Sequence, residues 1–283
     1  MFHVEQQTKE KLKVKDFLVS GEEFSLLYNS ELEMLVTHPK PSVNELPKYY
    51  ESEEYISHTD SNKGILNFLY QKVKGYSLSK KVTLINKLNK GAGALLDIGA
   101  GTGDFLFKAQ NNGWQIEGVE VNPKARIAAN KKGMHLEEAI SKIKANQFDV
   151  ITLWHVLEHL PNLDQEIENL GKLLKEGGHL VIAVPNFKSY DAKYYQEHWA
   201  AYDVPRHLWH FSRKSIPMLF SKKFKLVKTL PLVFDSFYVS LLSEKYKNEN
   251  AFSIKAFWIG LLSNLKAKRT GEYSSLIYCL KKG

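Results

Sequence analysis

Leu95-Leu96-Asp97-Ile98-Gly99-Ala100-Gly101-Thr102-Gly103-Asp104-Phe105 restricts this chain more than any other stretch. An apolar run ends at an acid, glycines follow at alternate positions, and a new apolar pattern begins. A buried parallel strand that turns tightly into a helix has this form. Glycine lets backbone approach a ligand where a Cβ would collide. A helix starting near Asp104 aims its unpaired N–H groups at the same spot. The stretch therefore predicts an α/β fold with a nucleotide-like ligand beyond the strand's C-terminal end.

Alternation continues downstream. Gln115 to Val121 reads as the second strand. Asn122 suits a helix cap, Pro123 the first helical position and Gly133 its end. A short strand near Met134 to Glu137 precedes a strongly apolar fourth strand, Phe148 to Trp154. Asn162 can cap a helix faced by Leu163, Ile167, Leu170 and Leu174 and ended at Gly177-Gly178. His179 to Val184 is strand five. Such order makes a parallel sheet covered on both faces. Later come a strand over Phe224 to Phe234, helices over Ser236 to Tyr246 and Phe252 to Leu265, and a last strand from Tyr273 to Leu280. Upstream, residues 1–60 are polar and broken by Pro39, Pro41 and Pro47, with Tyr49, Tyr50 and Tyr55 following. They read as an extended arm with one hairpin that packs on the body or caps a site. From Asn62 to Leu88 the apolar spacing fits two helices parted near Gly75.

A formal charge of +8 points to anionic partners, such as RNA, a lipid surface or an acidic metabolite, or simply to a solvated lysine-rich face. Cys279 is the only cysteine, which excludes an intrachain disulfide and a cysteine zinc cluster and fits a reducing, cytoplasmic setting. The first residues lack the pattern of a signal peptide. No apolar run is long enough to span a bilayer.

The glycine spacing is one residue short of the dinucleotide fingerprint, and the Gly-Lys-Ser/Thr of a triphosphate loop is missing. Glu120 closes the second strand 17 residues after Gly103. A carboxylate there can accept from both ribose hydroxyls of an adenosine; otherwise it is a solvated strand-end acid.

Leu95 to Phe105, Gly118-Val119-Glu120, Phe148-Asp149-Val150-Ile151 and Leu173 to Gly178 together resemble the ordered motifs of class I S-adenosylmethionine-dependent methyltransferases. That resemblance implies a Rossmann-like, doubly wound sheet of seven strands, mostly parallel with the last antiparallel, over residues 61–283. It implies substrate-side insertions at 190–215 and 236–270. It also implies S-adenosylmethionine as cofactor, with Asp97, Gly99, Ala100, Gly101 and Gly103 along its methionine part, Glu120 and Val121 at the ribose, Glu138 and Ala139 flanking the adenine, and Trp154 and His155 beside it.

His155-Val156-Leu157-Glu158-His159 spells the H-x-x-E-H of a zinc peptidase class, which needs a sustained helix. Its place directly after strand four, with Pro161 following, argues against one. The stretch is instead similar to the loop of ubiquinone-type O-methyltransferases, where Glu-x-x-Glu-His holds a divalent ion. His155 replaces the first glutamate, leaving Glu158 and His159 as the matched ligands or as loop hydrogen-bonding groups. Imidazole is a poor magnesium ligand, so no metal is expected.

After strand five, Tyr190, Tyr194, Tyr195, His198, Trp199 and Tyr202 lead into Asp203-Val204-Pro205-Arg206-His207-Leu208-Trp209-His210-Phe211. The last stretch resembles a bacterial subgroup related to the ubiquinone and menaquinone types. Aromatics with histidines suit a closed pocket, and the alternative is a packed flap with Arg206 paired to Asp203. Tyr194, Trp199, Tyr202 and Arg206 are the expected acceptor-binding residues, and His207, His210 and His159 the expected bases. In the late helix, Phe252, Ala256, Phe257, Ile259 and Leu262, widened by Trp258 and Leu261, are expected to pack on the sheet. The alternative is a greasy lid that, with Lys266, Lys268 and Arg269, touches an anionic membrane. The expected activity is methylation of an oxygen on a small aromatic, quinone-like or lipid-like molecule, with no specific nucleic acid. RNA or protein methylation, a non-catalytic scaffold and a nicotinamide dehydrogenase are the competing readings.

Overall fold

The computed structural model describes residues 8–50, 65–248 and 253–283. Tyr55, the start of the first helix and Phe252 lie outside them. The chain opens with three antiparallel strands, β1 (Thr8–Lys15), β2 (Glu23–Asn29) and β3 (Met34–His38). Helix α1 (Ile65–Asn89) follows, then the alternating body: β4 (Ala94–Ile98), α2 (Asp104–Gln110), β5 (Gln115–Val119), α3 (Pro123–Asn130), β6 (Phe148–Trp154), α4 (Leu163–Leu173) and β7 (Leu174–Pro185). The final third holds α5 (Tyr190–Tyr195), β8 (Trp209–His210), α6 (Ser215–Phe220), β9 (Phe224–Pro231), α7 (Asp235–Asn248), α8 (Ile254–Thr270) and β10 (Ser275–Lys282).

The main sheet runs β5-β4-β6-β7-β10-β9. Its first four strands are parallel, and β10 lies antiparallel between β7 and β9. Alternation along the central strands sends side chains to two cores. Leu96, Ile151 and Ile182 face α4 and α6, whereas Leu95, Val150 and Val181 face α1 and α2. The short strand expected at Met134 to Glu137 contracts to one bridge, Val119 to Glu137, so six full strands stand where seven are implied. Asn122 accepts from the N–H groups of Lys124 and Ala125, and Asn162 from that of Gln165, so both caps are as expected. The α4 helix ends at Leu173, earlier than Gly177-Gly178 suggested.

Three features depart from expectation. Gly75 does not part α1, because a glycine in an exposed helical turn costs only about 1 kcal/mol. Residues 8–38 pack on the body, as one expected alternative had it, but with two hairpins in place of one. They form a meander whose inner strand β3 pairs with β8 of the insertion. Val14, Leu26 and Leu35 thereby share a third core with Tyr195, Trp199 and Val204.

Helix α8 buries only part of the expected face: Ala256 and Ile259 pack inward, whereas Phe257, Trp258 and Leu262 do not. Ala256, Gly260, Ser263 and Ala267 face inward beside Ile259, while Phe257 and Trp258 are 54% and 56% exposed. Small residues bring backbones together: a Cβ on Gly260 would lie 2.9 Å from Phe237 Cα of α7. Ser236 Oγ donates to Gly260 O across the same contact.

Candidate active site

The turn after β4 is pinned to β5 by Gly99 and Ala100, whose N–H groups donate to Val119 O at 2.8 and 3.0 Å. Gly101 and Gly103 take left-handed φ of 55° and 75°, which side chains resist. A Cβ on Gly99 would strike Val156 at 2.3 Å, whereas one on Gly101 would meet nothing within 4 Å. The loop therefore presses on the segment after β6 and faces open space at Gly101.

Glu120 bounds that space. Its Oε2 accepts from Gly101 N and its Oε1 from Asn122 N, both at 2.8 Å. Val121 beside it is 77% exposed. Glu138 is exposed and paired with Lys142 at 3.0 Å, and Ala139 sits in extended backbone. The carboxylate holds the loop in shape, and an ionised carboxylate has acceptor lone pairs beyond those two bonds.

Asp97 lies deeper, 2% exposed, accepting from Thr152 Oγ1 at 2.5 Å. Burial pushes its pKa up to about 7, with Thr152 and the Lys81 ammonium opposing. Burial likewise lowers the pKa of Lys81, against the pull of Asp97 and Asp235. Lys81 Nζ stands 4.2 Å over the Trp154 ring, which meets Phe105 edge-on. Trp154 Nε1 is buried without a hydrogen bond. An unpaired donor, an open floor at Gly101 and the carboxylates of Glu120 and Asp97 fit the polar groups of S-adenosylmethionine.

The segment after β6 is a single 3₁₀ turn, Leu157–His159, not a helix, so His155 and His159 share no helical face. His155 has a φ of 58° and donates its N–H to Ala183 O. Its Nε2 is 3.0 Å from Asp235 Oδ2 and its Nδ1 3.5 Å from Glu158 Oε1. Burial works against its charge, yet Asp235 and Glu158 outweigh that and push its pKa up to about 10. His159 is the opposite case: burial and neighbouring His207 push its pKa down to about 4. Burial disfavours ionisation of Glu158, and the adjacent histidines, His155 foremost, hold its carboxyl below the usual range.

The aromatic insertion closes over this turn: Leu208 N donates to Glu158 O, and Trp209 Nε1 to Leu160 O. His159 and His207 rings meet at 4.5 Å. Other expected acceptor residues are used differently. Arg206 is 1% exposed and spends its donors on Asp203, Asp16 and Tyr49 O. It clamps the N-terminal meander to the insertion. Trp199 Nε1 donates to buried Asp191, and Tyr202 packs on Trp199 and His210. His210, buried, shares a hydrogen bond with Thr37 Oγ1 at 3.0 Å. Tyr194 is partly buried among Tyr190 and Tyr195. The gap between His207, His210, Trp199 and Phe187 has no room for a water. Of the expected bases, His159 and His207 converge with Glu158, and His210 serves the packed flap.

Lys81 and Asp235 were missed in the sequence reading. Lys81 lies in a helix of many lysines, and Asp235 opens a helix far downstream of His155. Neither carries a local signal of its partner.

The profile of a family described as a methyltransferase domain matches residues 70–224, more than half of the chain. The ubiquinone biosynthesis O-methyltransferase of Vibrio cholerae serotype O1 (strain M66-2) is 31% identical over 108 residues, covering 34% of this chain and 44% of that protein. Its counterpart in Azoarcus sp. (strain BH72) is 27% identical over 108 residues, covering 34% and 46%. The chain thus spans less than half the length of these two relatives. A geranyl diphosphate methyltransferase solved in complex with S-adenosylmethionine superposes with a TM-score of 0.52 at 13% identity, covering 81% of this chain and 95% of that one, a likeness of fold. With the glycine loop, the Glu120 carboxylate and the strand order in place, the chain belongs to the methyltransferase-domain family, of the class I S-adenosylmethionine-dependent type.

Proposed function

We propose that the protein moves the methyl group of S-adenosylmethionine to an oxygen of a small, largely apolar acceptor. One observation carries the reading: the turn Leu157–His159 lies between the glycine loop, through Val156 on Gly99, and the aromatic insertion, through Glu158 and His159. An acceptor oxygen there attacks the methyl carbon in line as the S–CH₃ bond breaks, leaving a neutral thioether. The acceptor's proton passes to His207 or His159, whose rings meet beside that turn. Tyr194 is the partly buried aromatic left for acceptor contact, and Trp199, Tyr202 and Arg206 position the flap from within.

Titration calorimetry with S-adenosylmethionine, followed by transfer assays over phenolic, quinol and lipid-like acceptors, tests the proposal. Tight binding with turnover that falls in His207→Ala more than affinity does is expected. No binding by folded protein overturns it.

The exposed Phe257 and Trp258 support a lipid-like acceptor met at an anionic membrane surface, since Lys268 and Arg269 end the same helix and no acid lies within it. The apolar face adjoins the site: Phe237 meets Phe257 at 5.2 Å with the rings tilted, and lies two residues beyond Asp235, which holds His155. No helix among the described residues is long and apolar enough to cross a membrane. Flotation with anionic vesicles, lost in a Phe257→Ser, Trp258→Ser double variant, is the expected outcome; equal recovery with neutral vesicles would argue against it.

A further inference from the structure

The sheet end where β6 and β7 begin and β10 finishes carries lysines on both of its faces. On one face, antiparallel pairing sets Lys281 of β10 opposite Lys225 of β9 and His179 of β7. Lys228, opposite Cys279, projects from that same face. Like charges opposed on neighbouring strands are unfavourable. Among the described residues, no acid forms an ion pair with Lys225, Lys228 or Lys281. His179 feels the result: burial first, then Lys281 and Lys228, holds its imidazole below the usual value.

The opposite face of this end is a cleft of about 620 Å³, lined in part by Asn146, Gly171, Lys172, Lys223 and Lys282. Lys282, opposite Phe224, reaches it from β10. Glu176 pairs with Lys282 at 2.7 Å and Glu168 with Lys223 at 2.6 Å, while Lys172 is exposed and has no such acid. The nearby aromatics Phe220 and Phe224 are buried, so the surface offers charge without a stacking platform.

We propose that this collar of lysines docks single-stranded nucleic acid by its phosphates, without reading sequence. Charge complementarity supplies the attraction, through release of counterions from the strand. Neighbouring strands of a sheet lie about 4.8 Å apart, so adjacent lysines can take successive phosphates. The bend around the sheet end selects the partner. A flexible strand can pass from the β9–β10 face into the cleft, whereas a stiff duplex or a flat bilayer meets one face only. The cofactor loop lies beyond the other end of the strands, roughly 20 Å away across the seven residues of β6. The docked segment is therefore held away from the methyl group. The collar keeps the enzyme near nucleic acid rather than acting on it, and the assignment does not depend on the methyl-transfer reading.

The test uses the full chain and a labelled single-stranded RNA of about 20 nucleotides, followed by fluorescence anisotropy from about 50 to about 200 mM salt. Binding that weakens by roughly 20- to 50-fold over that range is expected, the loss for three or four neutralised phosphates. The Lys225→Gln, Lys281→Gln double variant should bind about 10-fold more weakly, with the logarithmic salt slope flatter by about 1–2. A control pair on β1, Lys9→Gln with Lys13→Gln, should change neither. No binding at the lowest salt overturns the assignment. So do equal losses in the two double variants, or displacement of the RNA as readily by oligoglutamate of equal charge. All four lysines are exposed, and circular dichroism with S-adenosylmethionine titration, unchanged in both variants, separates lost docking from a lost fold or cofactor site.

Discussion

His155 Nε2 stands 3.0 Å from Asp235 Oδ2, tying the first residue after β6 to the first residue of α7. The contact holds His155 in a left-handed conformation beside the glycine loop and anchors the helix pair that carries the exposed apolar face.

Asp235→Asn should therefore loosen the turn and the helix together. For a half-exposed charge-assisted bond the loss is about 1 kcal/mol, a thermal midpoint lower by roughly 2–4 °C. A double-mutant cycle with His155→Ala, followed by urea denaturation, checks it. Strict additivity would show that the pair is not coupled.

Glu120→Ala should weaken S-adenosylmethionine by about 1–3 kcal/mol, through lost ribose bonds and through release of the Gly101 N–H that the carboxylate now holds. Glu120→Gln keeps one acceptor oxygen and should fall between. Calorimetric dissociation constants for the three proteins measure the order.

Asp97 binds its proton more tightly in the folded protein, with a pKa raised to about 7 by burial. Its contribution to folding stability thus declines as pH rises from the unfolded carboxyl value towards 7. A cationic cofactor nearby favours the carboxylate, so binding below pH 7 should release a proton, and affinity should climb as pH rises to 7. Calorimetry at pH 6 in two buffers of different ionisation enthalpy reads the proton directly. Asp97→Asn should abolish the buffer dependence.

Arg206→Met should cost about 3–5 kcal/mol, because Asp16 and Asp203 are left charged in a dry place. Arg206→Lys should recover little, since one ammonium cannot serve both carboxylates and Tyr49 O at once. Denaturant midpoints test both, and near-native stability of the lysine variant would contradict the clamp.

What could be read in advance was local. Asn122, Pro123 and Asn162 announce their helices because capping involves neighbours in sequence, and the glycine loop announces its ligand for the same reason. The meander could not be foreseen, since β3 acquires its outer neighbour from β8, far along the chain. Arg206 looked like a binding residue for want of Asp16, whose role no nearby residue betrays. Helix α8 misled in another way. Large apolar side chains usually mark the inward face, but close approach to α7 at Gly260 rewards small ones and turns Phe257 and Trp258 outward. At the site, Glu158 and His159 were visible as sequence neighbours and His207 was named with His159, but the contact between the two rings was not legible.

The pairing of β3 with β8 and the clamp of Arg206 on Asp16 have a consequence for descent. A loop anchored only at its ends can drift in sequence and try new substrates freely. This one shares a sheet and a buried charge cluster with the chain's opening strands, so recombination that exchanges either part alone would leave an unmatched edge and an unneutralised aspartate. The two segments therefore form one structural unit, and a change in either is felt in the other.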